Sequence, residues 1–525
     1  MGPSEITGLT AALWILCNSV YGSNKEPNMV PGRSVIVHLF EWRFDDIAEE
    51  CETFLGPRGY GGVQTSPVNE HGIVFGEPVK RPWYERYQPV SYKIGTRSGN
   101  ETEFRDMVRR CNEAGVRVYV DVVINHMSGP LQIKKGTAGS SFNYDEFSYP
   151  AVPYGPNDFN RKEKCNSESG TIEIYGDALQ VRNCELVGLR DLDHGKDHVR
   201  AKISQFLNRL ISFGVAGFRV DAAKHMWPVD LKVIYGKLNN LSTEFFPAGS
   251  KPFIYQEVID MGHGEPITRW EYIPMGRVTE FLYGAKLGDV LRKRPNQLLK
   301  YLRNFGEGWG FLPGGDALTF VDNHDNQRGH GAGGADILTF FEPRLYKMAI
   351  AFMLAWPYGL PRVMSSYHWP RDFRSGVDQN AWFGPPSDAA WNIRHVVRRS
   401  DNTCGGGWIC EHRWRQIYNL VELHNVAGFS SATNWWDNGY HAIAFGRGNA
   451  TFVAINNEDF RLDAVLQTSL PPGRYCDVIS GIMTSSGCTG RSFVVGPDGK
   501  LNITVDHSWE DPVIALHVQA KLPST

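Results

Sequence analysis

The sequence predicts an α/β protein: a closed parallel (β/α)8 barrel of the TIM type, with a small subdomain inserted after its third strand and a C-terminal all-β, Greek-key domain. Three observations carry this reading. From residue 34 to about Gly428, short and nearly continuous apolar runs alternate with amphipathic helical stretches, the pattern of parallel strands covered by helices on both faces. The alternation lapses once, between Met127 and about Leu192, where a Gly-, Ser- and Asn-rich stretch is too long for an ordinary loop. Beyond Gly428 the runs are short and separated by turn residues, as in an antiparallel module. The expected boundaries are 23–124 and 193–428 for the barrel, 125–192 for the insert and 429–525 for the last domain.

The first strand is Ser-Val-Ile-Val-His-Leu-Phe at residues 34–40, followed by an amphipathic helix over 45–55 that ends near Gly56. Residues 61–66 read as the second strand, and Arg81-Pro-Trp-Tyr-Glu-Arg-Tyr87 as an aromatic-rich loop. A helix over 102–114 stops at Gly115, a C-terminal cap signal, and the third strand, 116–124, ends in Asn125-His126. After the insert a helix over 198–213 leads to the strand at Gly217. Further strands are expected at 253–257, 278–283, 317–322 and 360–365, with helices such as 344–355 between them. Eight such units close into a barrel. A doubly wound open sheet is the alternative, but no Gly-x-Gly-x-x-Gly follows the first strand. In the last region residues 442–445, 451–456, 475–479, 492–495 and 513–518 read as strands, with turns at Gly446, Pro472-Gly473 and Asp498-Gly499.

The length of 525 residues suits more than one domain, and 42% hydrophobic with 21% charged residues is an ordinary globular balance. A net charge of −3 points to neither nucleic acid nor an anionic membrane. The 15 Trp suit a protein that stacks on flat apolar faces such as sugar rings, although aromatic residues more often fill cores. Residues 9–20 are apolar but too short to span a bilayer, and Val20-Tyr21-Gly22 ends in the small residues read at a cleavage site. Residues 1–22 are therefore expected to be a secretory signal, with an irregular start that carries Glu5 and no Lys or Arg. Of the nine cysteines, Cys17 lies in that leader, and the other eight suit four disulfides after export. Sequence leaves about 105 pairings open. Cys165–Cys184, Cys404–Cys410 and Cys476–Cys488 are local, which leaves Cys51 and Cys111 on the apolar faces of two helices. Sequons at Asn100, Asn240, Asn449 and Asn502 also fit export.

The chemistry gathers at strand ends, where barrel enzymes place their active sites. Residues 217–225 read Gly-Phe-Arg-Val-Asp-Ala-Ala-Lys-His. Side chains two apart in a strand share a face, so Arg219 lies beside Asp221 and favours its carboxylate, the state of a covalent nucleophile. The fifth strand ends in Tyr255-Gln-Glu257, flanked by Phe253, Ile254, Val258 and Ile259. Such an apolar shell disfavours a charged carboxylate, as a general acid requires. The seventh ends in Asp322-Asn-His-Asp-Asn-Gln-Arg328, where Asp325 would hold sugar hydroxyls, with His126 and His324 donating to the same ring. An acid and a nucleophile in contrasting environments are the division of labour of a glycosidase.

The chain resembles the animal-type, chloride-dependent α-amylases of the α-amylase glycoside hydrolase family over nearly its whole length. The motifs are Ile36-Val-His-Leu-Phe-Glu-Trp42, Asp121-Val-Val-Ile-Asn-His126, the 217–225 run, Tyr255-Gln-Glu-Val-Ile-Asp260 and Phe320-Val-Asp-Asn-His-Asp-Asn-Gln-Arg328. The resemblance implies retaining endo-hydrolysis of α-1,4-glucosidic bonds in starch and glycogen. It assigns Asp221 as nucleophile, Glu257 as acid/base and Asp325 as transition-state stabiliser. It implies a calcium ion held by the side chains of Asn125 and Asp191 and the carbonyls of Arg182 and His225, all hard oxygen donors. It implies a chloride held by Arg219, Asn323 and Arg362, an anion that offsets two guanidiniums beside the acid. Trp83, Tyr84, Tyr87 and Tyr175 would stack on glucose rings, and Lys224, His225, Glu265 and His330 would contact sugars beyond the cut. Residues 329–334 read as a mobile flap.

Two features depart from the vertebrate members. They carry one more cystine, which Gly95 and the Cys-free stretch 127–149 replace here, and Tyr84 stands where many relatives have Trp. Two other functions compete with the endo-amylase: an exo-acting α-glucosidase or transglycosylase, and a non-catalytic glucan-binding protein that has lost its carboxylates. The chloride arginines and open aromatic loop argue against the first, and the three retained carboxylates against the second. A secreted monomer acting on maltooligosaccharides, starch and glycogen is expected.

Overall fold

A computed structural model describes residues 22–523 of the chain. All but the last residue of the expected leader lies outside the described residues. Eight parallel strands close the barrel: β1 (Ile36–Leu39), β2 (Gly62–Thr65), β3 (Arg117–Val122), β4 (Gly217–Val220), β5 (Phe253–Gln256), β6 (Arg277–Thr279), β7 (Ala317–Thr319) and β8 (Leu360–Ser365). Each pairs with its neighbours in sequence, and β8 returns to β1 with Arg362 opposite Ile36. Seven of the eight are buried along their whole length, which is why they read as unbroken apolar runs. Gly217 at the foot of β4 is required there: a Cβ would meet the Phe253 carbonyl oxygen at 2.2 Å.

The helices follow from their caps and faces. Glu101–Glu113 starts on a reciprocal capping box between Asn100 and Glu103 and buries Phe104, Met107, Val108 and Cys111. Cys111 is joined to Cys51 at the π-helical turn Cys51–Leu55 that extends the helix Phe44–Glu50. The other disulfides are Cys165–Cys184, Cys404–Cys410 and Cys476–Cys488. The sixth strand is shorter than its apolar run suggested. Glu280 caps a new helix, Phe281–Leu291, by accepting from the N–H of Leu282. That helix is buried nearly all round, so periodicity could not separate it from the strand.

Between β2 and its helix lies a small antiparallel sheet, Asn69–His71, Pro89–Thr96 and Gly99–Asn100, which flanks the expected aromatic loop at 81–87 and has no counterpart among the expected strands. It grips the insert after β3. The Thr137 N–H donates to the His71 carbonyl at 2.9 Å, and Glu70 accepts from the N–H groups of Ala138 and Ser140 at 3.0 and 2.8 Å. The insert thus stands on two excursions of the barrel, both on the rim where the strands end. The C-terminal region holds two four-stranded antiparallel sheets around a second core containing Phe452, Leu466, Tyr475, Leu501 and Leu516. Among the described residues no helix is long and apolar enough to cross a membrane.

Candidate active site

The site is organised by one guanidinium. In the barrel register Asp121 on β3 lies opposite Arg219 on β4, and Arg219 lies opposite Tyr255 on β5. Arg219 is 1% exposed. Its Nη1 donates to Asp121 at 2.8 Å and to Asp221 at 2.7 Å, while Nη2 lies 2.9 Å from Glu257. The other oxygen of Glu257 accepts from the N–H of Ala222 at 2.8 Å. Ala222 has φ +49°, a left-handed backbone that costs a non-glycine residue about 1 kcal/mol. That conformation aims its amide at Glu257, which is where strained backbone tends to be found. Asp325 enters from the loop after β7. The Asn323 side-chain oxygen accepts from the N–H groups of Asp325 and Asn326 at 3.1 and 2.8 Å, and His324 Nε2 is 3.2 Å from Asp325.

Asp221, Glu257 and Asp325 line one cleft of about 780 Å³. Trp83, Tyr84, Tyr87, His126, Tyr175, Lys224 and His225 line it with them. His126 is fixed through Nε2 at 2.9 Å from the Tyr87 carbonyl. Lys224 donates to the Ile259 carbonyl at 2.5 Å. Tyr175 is 55% exposed on the insert side. Beside Ile259, already expected near Glu257, an apolar wall of Val74, Leu131, Leu186, Val187 and Leu189 lines the cleft without having been anticipated. Nothing in their local pattern separates them from ordinary loop residues.

Three expected sugar contacts stand behind or beside the residues that line the cleft. Glu265 accepts from the N–H groups of Met261 and His263 at 2.7 Å each and so orders its own loop. His324 is buried behind Tyr87, stacked on it at 5.3 Å. His330 lies exposed 6.0 Å from the Trp83 ring, its N–H donating to the Asp325 carbonyl. Arg219 likewise sits beneath the carboxylates rather than on the wall.

The electrostatics also differ from the sequence reading. Glu257 meets a guanidinium and an amide as well as apolar neighbours, of which Ile259 joins it on the cleft wall while Ile254 and Val258 alternate away from it. Asp221 does not owe its state to Arg219 alone. Burial lifts its carboxyl well above the usual range, Arg219 pulls it down, and Glu257 and Asp121 push it up again. Burial and the charge of Glu257 push Asp325 up to about 7. Burial and mutual repulsion around one guanidinium thus both favour the protonated forms of Asp221 and Asp325.

The donors expected to hold calcium are hard oxygens at the seam of insert and barrel. Asn125 is fully buried and its Oδ1 has no partner among the described residues, and Asp191 is 2% exposed and accepts from Asn160 at 2.7 Å. The His126–Asp191 bridge and the bond from Leu192 N–H to the Asn125 carbonyl bring the two segments together. His225 is tied to the helix bearing Arg182 through Nδ1, 2.9 Å from the Val181 carbonyl. The residues fit a hard cation. The group of half-buried Asp45, buried Asp46 and exposed His395 does not compete, because Arg43 and Arg398 already face its carboxylates.

The residues expected to hold chloride fit an anion. Arg362 is 2% exposed and, among the described residues, forms no ion pair. Its Nη1 donates to Gln64 Oε1 at 2.8 Å, an oxygen that also accepts from the Tyr255 hydroxyl at 2.9 Å. A buried guanidinium without a counter-charge is costly unless an anion meets it.

Comparison with known proteins agrees with this geometry. Residues 80–246 match the α-amylase catalytic domain and residues 433–519 the α-amylase C-terminal all-β domain. An α-amylase of Oryzias latipes is 57% identical over 498 residues, covering 94% of this chain and 96% of that protein. The pancreatic α-amylase of Homo sapiens is 58% identical over 499 residues, with the same coverage. The chain belongs to the α-amylase family. As an α-amylase it is a glycosidase. Its backbone superposes with a TM-score of 0.90 and 53% identity on a mutant of α-amylase I from Eisenia fetida in complex with maltohexaose, covering 95% of this chain and 99% of that one.

Proposed function

We propose that this α-amylase hydrolyses internal α-1,4-glucosidic bonds of starch-type glucans with retention, in an extracellular setting. The observation that supports this most strongly is the meeting of Asp221, Glu257 and Asp325, from three strand ends, in one cleft walled by aromatic rings. One guanidinium touches both carboxyls, Nη1 meeting Asp221 and Nη2 meeting Glu257. This shared cation supports a close pair, and a close pair of carboxyls goes with retention.

In the proposed mechanism glucose units stack along Trp83, Tyr84, Tyr87 and Tyr175. Glu257 protonates the leaving oxygen while Asp221 attacks the anomeric carbon and forms a glycosyl ester. Glu257, now a carboxylate, takes a proton from water, which opens the ester with a second inversion. Asp325 accepts hydrogen bonds from ring hydroxyls as charge develops. The amide of Ala222 and Nη2 of Arg219 hold Glu257 in place. Asn125 and Asp191, with the carbonyls of Arg182 and His225, would hold a calcium ion that braces the insert, which carries the Tyr175 side of the cleft. Arg219, Asn323 and Arg362 would hold a chloride that supplies a counter-charge to the two guanidiniums. Four disulfides suit an oxidising, extracellular compartment.

Digestion of soluble starch followed by anomeric proton NMR tests the reading. Mixed short maltooligosaccharides with α ends are expected. Glucose alone would favour the exo-acting alternative, and no product would favour a binder.

A further inference from the structure

Below the cleft lies a cation that the proposed chemistry does not use. Arg328 closes the loop that carries Asp325. It is 4% exposed and, among the described residues, has no carboxylate partner. Its guanidinium carbon lies 4.1 Å from the Trp369 ring, 5.0 Å from Tyr367, 5.2 Å from Phe40 and 5.7 Å from Trp83. Nη1 donates to the His324 carbonyl at 2.8 Å and to Gln327 Oε1 at 3.2 Å, while Nε and Nη2 have no polar partner among the described residues. A buried cation caged by aromatic faces is held by their quadrupoles and by the flat shape of the guanidinium.

What the cage grips is informative. The His324 carbonyl belongs to the peptide that leads into Asp325, and the Arg328 N–H donates to the Asp325 carbonyl at 2.9 Å. Gln327 is anchored in turn to Asp322 at 2.7 Å and to Ser366 at 2.6 Å. Trp83, one ring of the cage, is a wall of the cleft, pinned at its indole N–H to the Ala381 carbonyl at 2.8 Å. One side chain therefore ties the Asp325 turn to the aromatic floor of the cleft.

We propose that Arg328 is a positioning residue for the hydrolysis, a flat cationic pin that sets Asp325 against the floor ring Trp83. The proposal rests on Asp325 being catalytic. The charge of Arg328 acts in the same sense as its geometry, opposing the burial that lifts Asp325. Asp325 also faces Arg219, Glu257 and Asp121, with His324 beside it and His330 following in its loop, so Arg328 is one of several charges there and its geometric role dominates.

The test compares Arg328→Met and Arg328→Lys with Asp325→Asn, each checked for folding by thermal melting. Kinetics use maltooligosaccharides at temperatures where every variant is folded. Misplacing a catalytic group by about 1 Å costs about 100-fold in rate, so Arg328→Met should lose about that factor in kcat, with KM changed less than about threefold. Arg328→Lys should recover about tenfold of the loss, because an ammonium still reaches the His324 carbonyl. A folded Arg328→Met with kcat near wild type, while Asp325→Asn is inactive, would overturn the pin. Equal loss in the Met and Lys variants, tracking only a lower melting temperature, would also overturn it. An active Asp325→Asn would instead overturn the role given to Asp325.

Discussion

Arg219 Nη2 lies 2.9 Å from Glu257, so the proposed acid is paired directly with a buried cation. Together with the unpaired Arg362, that contact defines what an anion would change. Without one, Arg362 lies buried with no ion pair among the described residues, close to the carboxylate cluster that Arg219 holds. Removing chloride should therefore lower kcat and change the shape of the pH–activity curve. Arg362→Ala should abolish the response to chloride. Superimposable curves with and without chloride would refute this account of the anion.

The unpartnered Asn125 oxygen and the buried Asp191 predict a stabilising cation. Chelation should lower the melting temperature, and added calcium should restore it. Asp191→Asn should melt lower than wild type in calcium and show no further drop on chelation. A chelator-insensitive wild type would remove calcium from the account.

Glu411 gives a stability prediction with a definite sign. Burial, together with the nearby Asp322, pushes its carboxyl up to about 8, against about 4.3 in an unfolded chain. Between those values the folded state holds a proton that the unfolded state lacks. This contribution is fully present below about pH 4 and is lost as pH rises through about 8. Replacing Glu411 with Gln removes the titration, so the variant should gain on wild type as pH increases from about 5 to about 8. Melting curves whose difference does not change with pH would show that Glu411 keeps its proton in neither state.

Tyr175 projects into the cleft from the insert with 55% of its surface free. Its truncation should weaken binding without touching the carboxylates. Loss of one stacking face is worth about 1 kcal/mol, so Tyr175→Ala should raise KM about fivefold at nearly constant kcat. A fall in kcat with unchanged KM would give this ring a different role.

The barrel was legible because its strands are buried on both faces and its helices carry caps, and the polar residues at the strand ends broke those patterns visibly. Asp221, Glu257 and Asp325 stood out for that reason. The sheet at residues 69–100 was hidden by short strands and an irregular register. The Val74, Leu131 and Leu189 wall depends on how two excursions dock, which no local period records. The surroundings of Glu257 are only half legible in its own stretch, because Arg219 reaches it across the sheet. Arg328 could have been suspected from its place three residues after Asp325, but its aromatic cage is assembled from three distant segments.

The ester on Asp221 is the step on which the whole mechanism turns, and it can be trapped. A fluorinated maltosyl fluoride slows hydrolysis of the intermediate more than its formation, so brief incubation followed by peptide mass spectrometry should show one maltosyl unit on the peptide containing Asp221. No adduct despite turnover of the reagent, or an adduct on Glu257 or Asp325, would contradict that assignment.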